Sequence, residues 1–218
     1  IALQFLTTLP VKVRPQIQPQ EFGGSLLYFP IVGLFIGAIL ALVSILAGSL
    51  PVLVKGALIL AAYIFITGAI HLDGFADTCD GFYAGKTKED SLRIMRDSHI
   101  GTMGAIGVFC ILLLKFVFIV SIPKDILCGS LMMMAAFSRW SQGLACSVST
   151  YARQEGKAKF FVEYARSRDI VAGGAAVFIL FLLLAGTGGV VLFIGSFIVV
   201  FFFFAYARAR IGGVTRAP

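Results

Sequence analysis

Residues 25–47, SLLYFPIVGLFIGAILALVSILA, contain no charged side chain from end to end. A stretch of this length is long enough for an α-helix to cross a hydrocarbon core of ~30 Å. The whole chain has the same character, since 59% of its 218 residues are hydrophobic and 13% are charged. Soluble domains are typically about 25% charged. The composition therefore predicts an integral membrane protein.

Five further apolar stretches have a length suited to membrane-spanning helices. They cover residues 52–70, 104–122, 126–148, 170–185 and 189–207. The last two are separated only by Gly186-Thr-Gly-Gly189, a turn short enough to require an antiparallel hairpin. The sequence therefore predicts an all-α, polytopic transmembrane bundle of about six spans, forming a single membrane domain over residues 1–218.

Lysine and arginine are distributed unequally among the connections between these spans. Most lie in the N-terminal segment, the second and fourth connections and the C-terminal end, whereas Lys55 and Lys124 lie on the opposite side. Because cytoplasmic loops carry the excess of positive charge, both termini and both long connections are expected to face the cytoplasm. The net charge of +7 thus reports orientation, and nucleic-acid binding is not predicted.

The four cysteines are widely spaced and include no C-x-x-C pair, so neither a disulfide framework nor a zinc site is expected. Acidic residues, in contrast, are concentrated directly after the second span. On a helix, Asp73, Asp77 and Asp80 project within an arc of about 60°. Three like charges on one face repel each other unless a cation neutralises them. Oxygen ligands favour Mg²⁺ or Mn²⁺, and Mg²⁺ commonly completes its coordination with substrate phosphate.

Downstream of the acidic face, Thr87-Lys-Glu-Asp90 resembles a capping box and predicts a short amphipathic surface helix near residues 87–98. Asp97 at its end is a candidate fourth carboxylate for the metal. Arg93 and Arg96 are candidate ligands for a diphosphate, since arginine binds phosphate in a bidentate manner. Arginines at this position also anchor helices at the membrane surface, and the pattern alone does not separate the two roles.

Two histidines bracket the acidic stretch. His71 and His99 can each act as a general base, position a substrate hydroxyl, or make a structural hydrogen bond. Arg139 lies inside the fourth predicted span, where a charge is costly unless it is paired, so we expect it to contact a substrate phosphate or a site carboxylate. The alternative is a structural pair inside the bundle. Lys115 also lies inside a span, but a lysine can extend its ammonium group to the surface. The alternative for the whole cluster is a set of carboxylates that only solvate a loop or pair with nearby bases.

Three motifs stand out along the chain: His71-Leu-Asp-Gly-Phe-Ala-Asp-Thr-Cys-Asp-Gly81, Arg96-Asp-Ser-His-Ile-Gly101 and Tyr151-Ala-Arg-Gln-Glu-Gly156. They closely resemble the motifs of the adenosylcobinamide-GDP ribazoletransferases, also called cobalamin-5'-phosphate synthases. Phe5-Leu-Thr-Thr-Leu-Pro10 and Gly212-Gly-Val-Thr215 also resemble that family's terminal motifs. The similarity therefore extends over nearly the whole chain.

The resemblance implies an enzyme of the bacterial or archaeal cytoplasmic membrane that requires Mg²⁺ and has its active site on the cytoplasmic side. Such an enzyme joins adenosylcobinamide-GDP to α-ribazole or α-ribazole 5'-phosphate and releases GMP, late in vitamin B12 biosynthesis. A homo-oligomer is compatible with this description. Chemistry and motifs together give, as catalytic residues, His71, Asp73, Asp77, Asp80 and Asp97, with the four aspartates as metal ligands, and as substrate-binding residues Arg93, Arg96, His99, Arg139 and Arg153.

Two other functions are compatible with parts of the sequence. The pattern Asp73-Gly-x-x-Ala is similar to the start of the CDP-alcohol phosphotransferase signature, but Asp77 stands where that family has arginine, and its later Gly-x-x-x-Asp-x-x-x-Asp element is absent. A transporter is the second alternative, although transporter ion sites gather near the bilayer midplane. The ribazoletransferase pattern continues after Thr215 with Gly-Asp and another span, whereas here Arg216-Ala-Pro218 follows, so we expect a C-terminus truncated relative to that family.

Overall fold

The computed structural model describes residues 1–11, 16–148 and 159–213, and the regular secondary structure in these residues is helical, without strands. This confirms the all-α prediction for the described part of the chain. The helices are α1 (Ala2–Leu6), α2 (Pro19–Ser25), α3 (Phe29–Leu46, joined to α2 by the 3₁₀ turn Leu26–Tyr28), α4 (Val52–Thr67), α5 (Ile70–Ala84), α6 (Lys88–Ile94), α7 (Thr102–Ser121), α8 (Lys124–Val148), α9 (Lys159–Glu163) and α10 (Ser167–Ile211).

Among the described residues, three helical stretches are long and apolar enough to cross a membrane: Pro19–Leu46, Thr102–Ser121 and Ser167–Ile211. The pair Val52–Thr67 and Ile70–Ala84 adds a fourth if the two helices, bent by 90° at their break, are counted as one span. The membrane character of the chain is thus supported. The number of six spans and the cytoplasmic position of the termini stay predictions.

The long helix α10 reverses direction at Gly186, which has the non-helical angles φ 55° and ψ −135°. The rings of Phe178 and Phe193 lie on the two sides of this break, and their centroids are only 5.3 Å apart. A straight helix would separate these residues by about 22 Å at 1.5 Å per residue. A β-carbon at Gly189 would also collide with the carbonyl of Phe181. The predicted antiparallel hairpin at this glycine-rich turn is therefore confirmed.

The centre of the bundle is the pair α3 and α8. A β-carbon at Gly37 would lie 2.6 Å from the Cα atom of Met132, so the glycine lets the two backbones approach each other closely. Ile36 and Leu40 are fully buried beside this contact, and Leu131 is nearly so. Close packing of this kind makes the two helices a rigid support for the elements that surround them.

Trp140 attaches the α10 hairpin to this central pair. Its indole Nε1–H donates a hydrogen bond to the carbonyl of Ile170 at 2.9 Å. Its ring lies against Gly174 and has its centroid 5.7 Å from that of Phe193, so it contacts both arms of the hairpin. A buried tryptophan whose N–H is satisfied combines a large apolar contact with a fixed orientation.

The break between α4 and α5 turns the acidic segment away from the direction of α4. Gly68 ends α4 in the left-handed region, as is common after a helix C-terminus, and Ala69 follows with φ 54°. A non-glycine residue rarely adopts this conformation. The hydroxyl of Thr8 donates to the carbonyl of Phe65 at 3.0 Å and thereby ties the N-terminal segment to the break. As a result, α5 leaves the direction of α4 by 90°.

The predicted surface helix near residues 87–98 is present but shorter, as α6. The hydroxyl of Thr87 accepts a hydrogen bond from the backbone N–H of Asp90 at 3.1 Å, which is the capping interaction that the sequence indicates. Ser91 and Met95 are each 1% exposed, because they pack beneath Gly81 of α5. The helix therefore supports α5 directly.

Candidate functional site

The acidic face of the sequence lies on helix α5, as its spacing predicts. Asp73 is exposed in the first turn, and Asp77 follows one turn later in a half-buried position. The side chains of residues four apart lie on the same side of a helix. These two carboxylates therefore form a pair in which Asp73 is exposed to solvent and Asp77 is half-buried.

Asp80 has a different environment from the other two aspartates. Its Oδ2 accepts a hydrogen bond from the backbone N–H of Gly101, and its Oδ1 accepts one from the N–H of Gly104, both at 2.8 Å. These amides belong to the N-terminus of α7, where donors lack partners within the helix and a negative charge is favoured. A β-carbon at either glycine would collide with the carboxylate. Asp80 thus fastens α5 to the start of α7.

This attachment brings the loop before α7 next to α5. In that loop, Asp97 accepts a hydrogen bond from the backbone N–H of His99 at 3.0 Å, and its Oδ1 lies 2.7 Å from His99 Nδ1. The backbone hydrogen bond first, and the imidazole second, hold the pKa of Asp97 below its usual value. Both side chains are largely exposed, at 59% for Asp97 and 90% for His99. The pair is an imidazole oriented by a carboxylate and accessible to a substrate.

At the opposite end of α5, His71 faces helix α8. Its Nε2 lies 3.4 Å from Nε2 of Gln142. Arg139 precedes Gln142 by one turn and is only 1% exposed, with Nη1 donating to Ser138 Oγ at 2.9 Å. Its Nε and Nη2 atoms are buried without a hydrogen-bond partner among the described residues. A buried guanidinium with unsatisfied donors is strongly unfavourable unless an anion or water completes it.

Two of the other arginines that were predicted to bind phosphate, Arg93 and Arg96, lie on or just after α6 and are exposed. Arg93 pairs with Asp90 of its own helix at 3.4 Å in an exposed position, where such a pair contributes little stability. Arg96 is exposed near the end of α6. Arg153 and its motif, residues 151–156, lie outside the described residues, as do residues 214–215 of the C-terminal motif.

The structure does not bring the four predicted metal ligands together. Within residues 1–11, 16–148 and 159–213, no group of three or more His, Cys, Asp or Glu side chains is placed to hold a metal ion. Asp80 caps α7, and Asp97 pairs with His99. Because Mg²⁺ often takes only one or two protein carboxylates and completes its shell with substrate phosphate and water, Asp73 and Asp77 still fit such a site. The magnesium requirement stays a prediction.

One residue of this region was not singled out from the sequence. Arg210, in the last turn of α10, donates from Nη2 to the carbonyls of Phe82 and Gly85, the latter at 3.3 Å. Tyr206 packs edge-on against Phe82, with ring centroids 5.5 Å apart. Cationic side chains commonly satisfy the free carbonyls at a helix C-terminus. The sequence placed Arg210 among the charges that report topology, and no local pattern linked it to α5.

Comparison with known proteins identifies the family of the chain. The family model described as cobalamin-5-phosphate synthase matches residues 1–215. An adenosylcobinamide-GDP ribazoletransferase of Clostridium acetobutylicum is 35% identical over 175 residues, covering 79% of this chain and 69% of the relative. Proteins of the same name from Acetivibrio thermocellus and Desulfitobacterium hafniense are 37% and 38% identical, covering 78% and 76% of this chain and 69% and 67% of the relatives.

No solved structure matches the chain. The family match is nonetheless continuous from the N-terminal segment to the end of α10, and it includes α5 and the loop that Asp80 fastens to it. The relatives share the name of a transferase. The chain therefore belongs to the cobalamin-5-phosphate synthase family and is a transferase of cobalamin biosynthesis.

Proposed function

We propose that the protein is a Mg²⁺-dependent phosphotransferase that joins adenosylcobinamide-GDP to α-ribazole or α-ribazole 5'-phosphate and releases GMP. The observation that carries the proposal is the joining of α5, with Asp73 and Asp77, to the loop that contains the Asp97–His99 pair. This arrangement combines carboxylates for a metal–diphosphate complex with an oriented base. The names of the relatives supply the donor and the ribazole acceptor.

The reaction is an attack by a ribazole hydroxyl on the phosphorus attached to cobinamide. A new P–O bond forms to the ribazole oxygen, and the bond between the two phosphoryl groups breaks so that GMP leaves. Mg²⁺ held by Asp73 and Asp77 would neutralise negative charge on the diphosphate and on the departing GMP. Arg93, Arg96 and Arg153 are the arginines proposed to bind phosphate oxygens at the cytoplasmic surface.

In this mechanism His99 receives the proton of the attacking hydroxyl. Asp97 contacts Nδ1 at 2.7 Å, so it orients the ring and stabilises the imidazolium that forms. The same contact leaves Nε2 as the ring nitrogen that is not engaged by Asp97. His71, supported by Gln142, lies at the start of α5 and would position the substrate there. General-base catalysis of this kind typically contributes about 10²–10⁴-fold.

The site is proposed to face the cytoplasm, where the nucleotide-activated donor is available. The excess of Lys and Arg in the connection between α5 and α7 supports this orientation. The same orientation agrees with a bundle of six spans, which would be α3, α4, α7, α8 and the two arms of α10. With six spans, both chain ends would lie on the same side of the membrane as the proposed site.

The proposal is tested with the full chain in lipid nanodiscs, supplied with adenosylcobinamide-GDP and α-ribazole 5'-phosphate. GMP release is expected with Mg²⁺ and should disappear when EDTA removes the metal. Asp73→Asn and Asp77→Asn should each raise the Mg²⁺ concentration that gives half-maximal activity by about tenfold or more, because each removes one anionic ligand. Glu89→Gln, at an exposed position on α6, is the matched control and should behave like the unmodified protein. GMP release that is equally fast in EDTA would contradict the metal requirement, and no GMP release under any condition would contradict the function.

A further inference from the structure

Two cations surround a single tyrosine inside the bundle. The ammonium nitrogen of Lys115, on α7, lies 4.9 Å from the ring centroid of Tyr63, on α4. The guanidinium carbon of Arg139, on α8, lies 5.9 Å from the same centroid. Three different helices therefore contribute to one interior cluster, which we call the Tyr63 cluster.

The positive charge of the Tyr63 cluster is not balanced within the described part of the chain. Arg139 is 1% exposed, and its Nε and Nη2 atoms have no hydrogen-bond partner there. The ion pairs found between described residues include neither Arg139 nor Lys115. Contact with an aromatic face offsets only part of the cost of burying a cation. An anion that binds both residues would satisfy the donors and the charge.

A cavity adjoins the cluster and indicates what else such an anion carries. It has a volume of about 300 Å³, and Tyr63, Lys115 and Ser130 line it together with apolar side chains that include Leu40 and Ile59. Volumes from about 300 Å³ upwards, largely apolar with a few placed polar groups, are typical of small-molecule sites. The cavity thus fits a ligand with an apolar, aromatic-sized body and one anionic group.

The cluster is linked to the proposed active site along α8. Arg139 and Gln142 are one turn apart on this helix, and Gln142 lies 3.4 Å from His71 at the start of α5. Asp73 follows His71 in the first turn of α5. A ligand held at the Tyr63 cluster would therefore have polar side chains between its anionic group and the acidic helix.

We propose that Lys115, Tyr63 and Arg139 bind the phosphate of α-ribazole 5'-phosphate, whose benzimidazole occupies the adjoining cavity. This inference rests on the proposed function and assigns the acceptor subsite within it. The acceptor matches the cavity because it combines one phosphate monoester with a flat apolar base. The family description names a 5-phosphate in the product, which requires that this group be accommodated during the reaction.

The test compares two acceptors, α-ribazole 5'-phosphate and α-ribazole, in the GMP-release assay. In Lys115→Met, KM for the phosphorylated acceptor is expected to rise about tenfold, since one charge-assisted contact is lost. The KM for α-ribazole should stay within about twofold, because that acceptor makes no contact through phosphate. A purely structural defect would affect both acceptors alike, so the ratio of the two kcat/KM values is the decisive measurement.

Lys124→Met is the matched control, since it removes the same charge from an exposed position at the start of α8. It should leave the ratio unchanged, and Lys115→Arg should restore most of the preference. Binding of α-ribazole 5'-phosphate is measured in parallel through the fluorescence of Trp140, the single tryptophan, next to Arg139 in sequence. If Lys115→Met and Arg139→Lys both keep the preference and the affinity of the unmodified protein, the inference is overturned.

Two outcomes separate this inference from the proposed function. If the unmodified protein releases no GMP but binds α-ribazole 5'-phosphate in a manner that depends on Lys115, the function fails and the subsite stands. If it releases GMP without any preference that depends on Lys115, the function stands and the subsite fails. Nanodiscs with and without phosphatidylglycerol are compared, and competition by this anionic lipid without any effect of the acceptor would assign the cluster to lipid instead.

Discussion

At the scale of single residues, Asp80 joins α5 to the start of α7. Both of its oxygens accept N–H groups from the start of α7, and two glycines leave the room for it. Asp73 and Asp77 lie earlier on the same helix, where Asp73 is exposed and Asp77 is half-buried. The three aspartates share a helical face, but their environments assign Asp80 to positioning the loop of Asp97 and His99.

Asp80→Asn is therefore expected to differ from Asp77→Asn. An asparagine offers one acceptor and opposes the second N–H with its own amide, so the variant should lose about 0.5–2 kcal/mol of stability, the range for a lost helix cap. Its GMP release should fall while the Mg²⁺ concentration for half-maximal activity stays near that of the unmodified protein. Thermal unfolding in detergent and Mg²⁺ titration of activity give the two readings. An unchanged melting temperature together with a large rise in the Mg²⁺ requirement would show that Asp80 binds the metal.

The sequence predicts part of this site and leaves part of it hidden, for a physical reason. The spacing of Asp73, Asp77 and Asp80 is local, so a helical period reveals their shared face. The partners of Asp80 are more than twenty residues away, and only the fold brings Gly101 and Gly104 to it. The contact between Asp97 and His99 is also local in sequence. An aspartate side chain commonly accepts a hydrogen bond from the backbone N–H two residues later in a turn.

At the scale of elements, the C-terminal half of α5 is held by two helices that are distant in sequence. Asp80 accepts a hydrogen bond from the backbone at the start of α7. Arg210, at the end of α10, donates hydrogen bonds to the last carbonyls of α5. The break at Ala69 was not predicted, since alanine gives no signal for a left-handed conformation. The reversal of α10 was predicted, because Gly186 stands within a glycine-rich turn between two long apolar runs.

Arg210→Gln should loosen the C-terminal end of α5 and lower kcat for GMP release by about tenfold, which corresponds to about 1.4 kcal/mol. The reason is that a cation which satisfies two helix carbonyls is replaced by a shorter neutral group. Arg210→Lys keeps the charge and can reach one carbonyl, so it should recover part of the rate. Hydrogen exchange of the backbone amides near Gly85 should accelerate in Arg210→Gln.

Arg208→Gln is the matched control for this prediction, because Arg208 lies two residues before Arg210 on the same helical turn and is exposed. It removes the same charge and should leave both the rate and the exchange near Gly85 unchanged. Equal losses in Arg208→Gln and Arg210→Gln would indicate a general electrostatic effect of the C-terminal end rather than the contact with α5.

At the scale of the whole molecule, the bundle divides into a support and a site. The close pair of α3 and α8, with the hairpin of α10 attached through Trp140, forms the support. The site lies on α5, which bends away from α4 by 90° and is joined to the loop before α7. Hydropathy predicts the support well, since long apolar runs determine helices in a membrane. It cannot predict that α5 turns by 90° from α4, because that depends on the break at Ala69 and on the contacts of α5 with α7 and α10.

This arrangement also makes the orientation of the protein testable. The connection between α5 and α6 contains the exposed Lys86, and α8 begins with the exposed Lys124, which follows the other end of α7. In a background without the four native cysteines, Lys124→Cys should react with a membrane-impermeant maleimide added to intact cells. Lys86→Cys should react only after the membrane is opened, because the positive-inside distribution predicts that it faces the cytoplasm. Labelling of Lys86→Cys from outside would invert the proposed topology and contradict a cytoplasmic site.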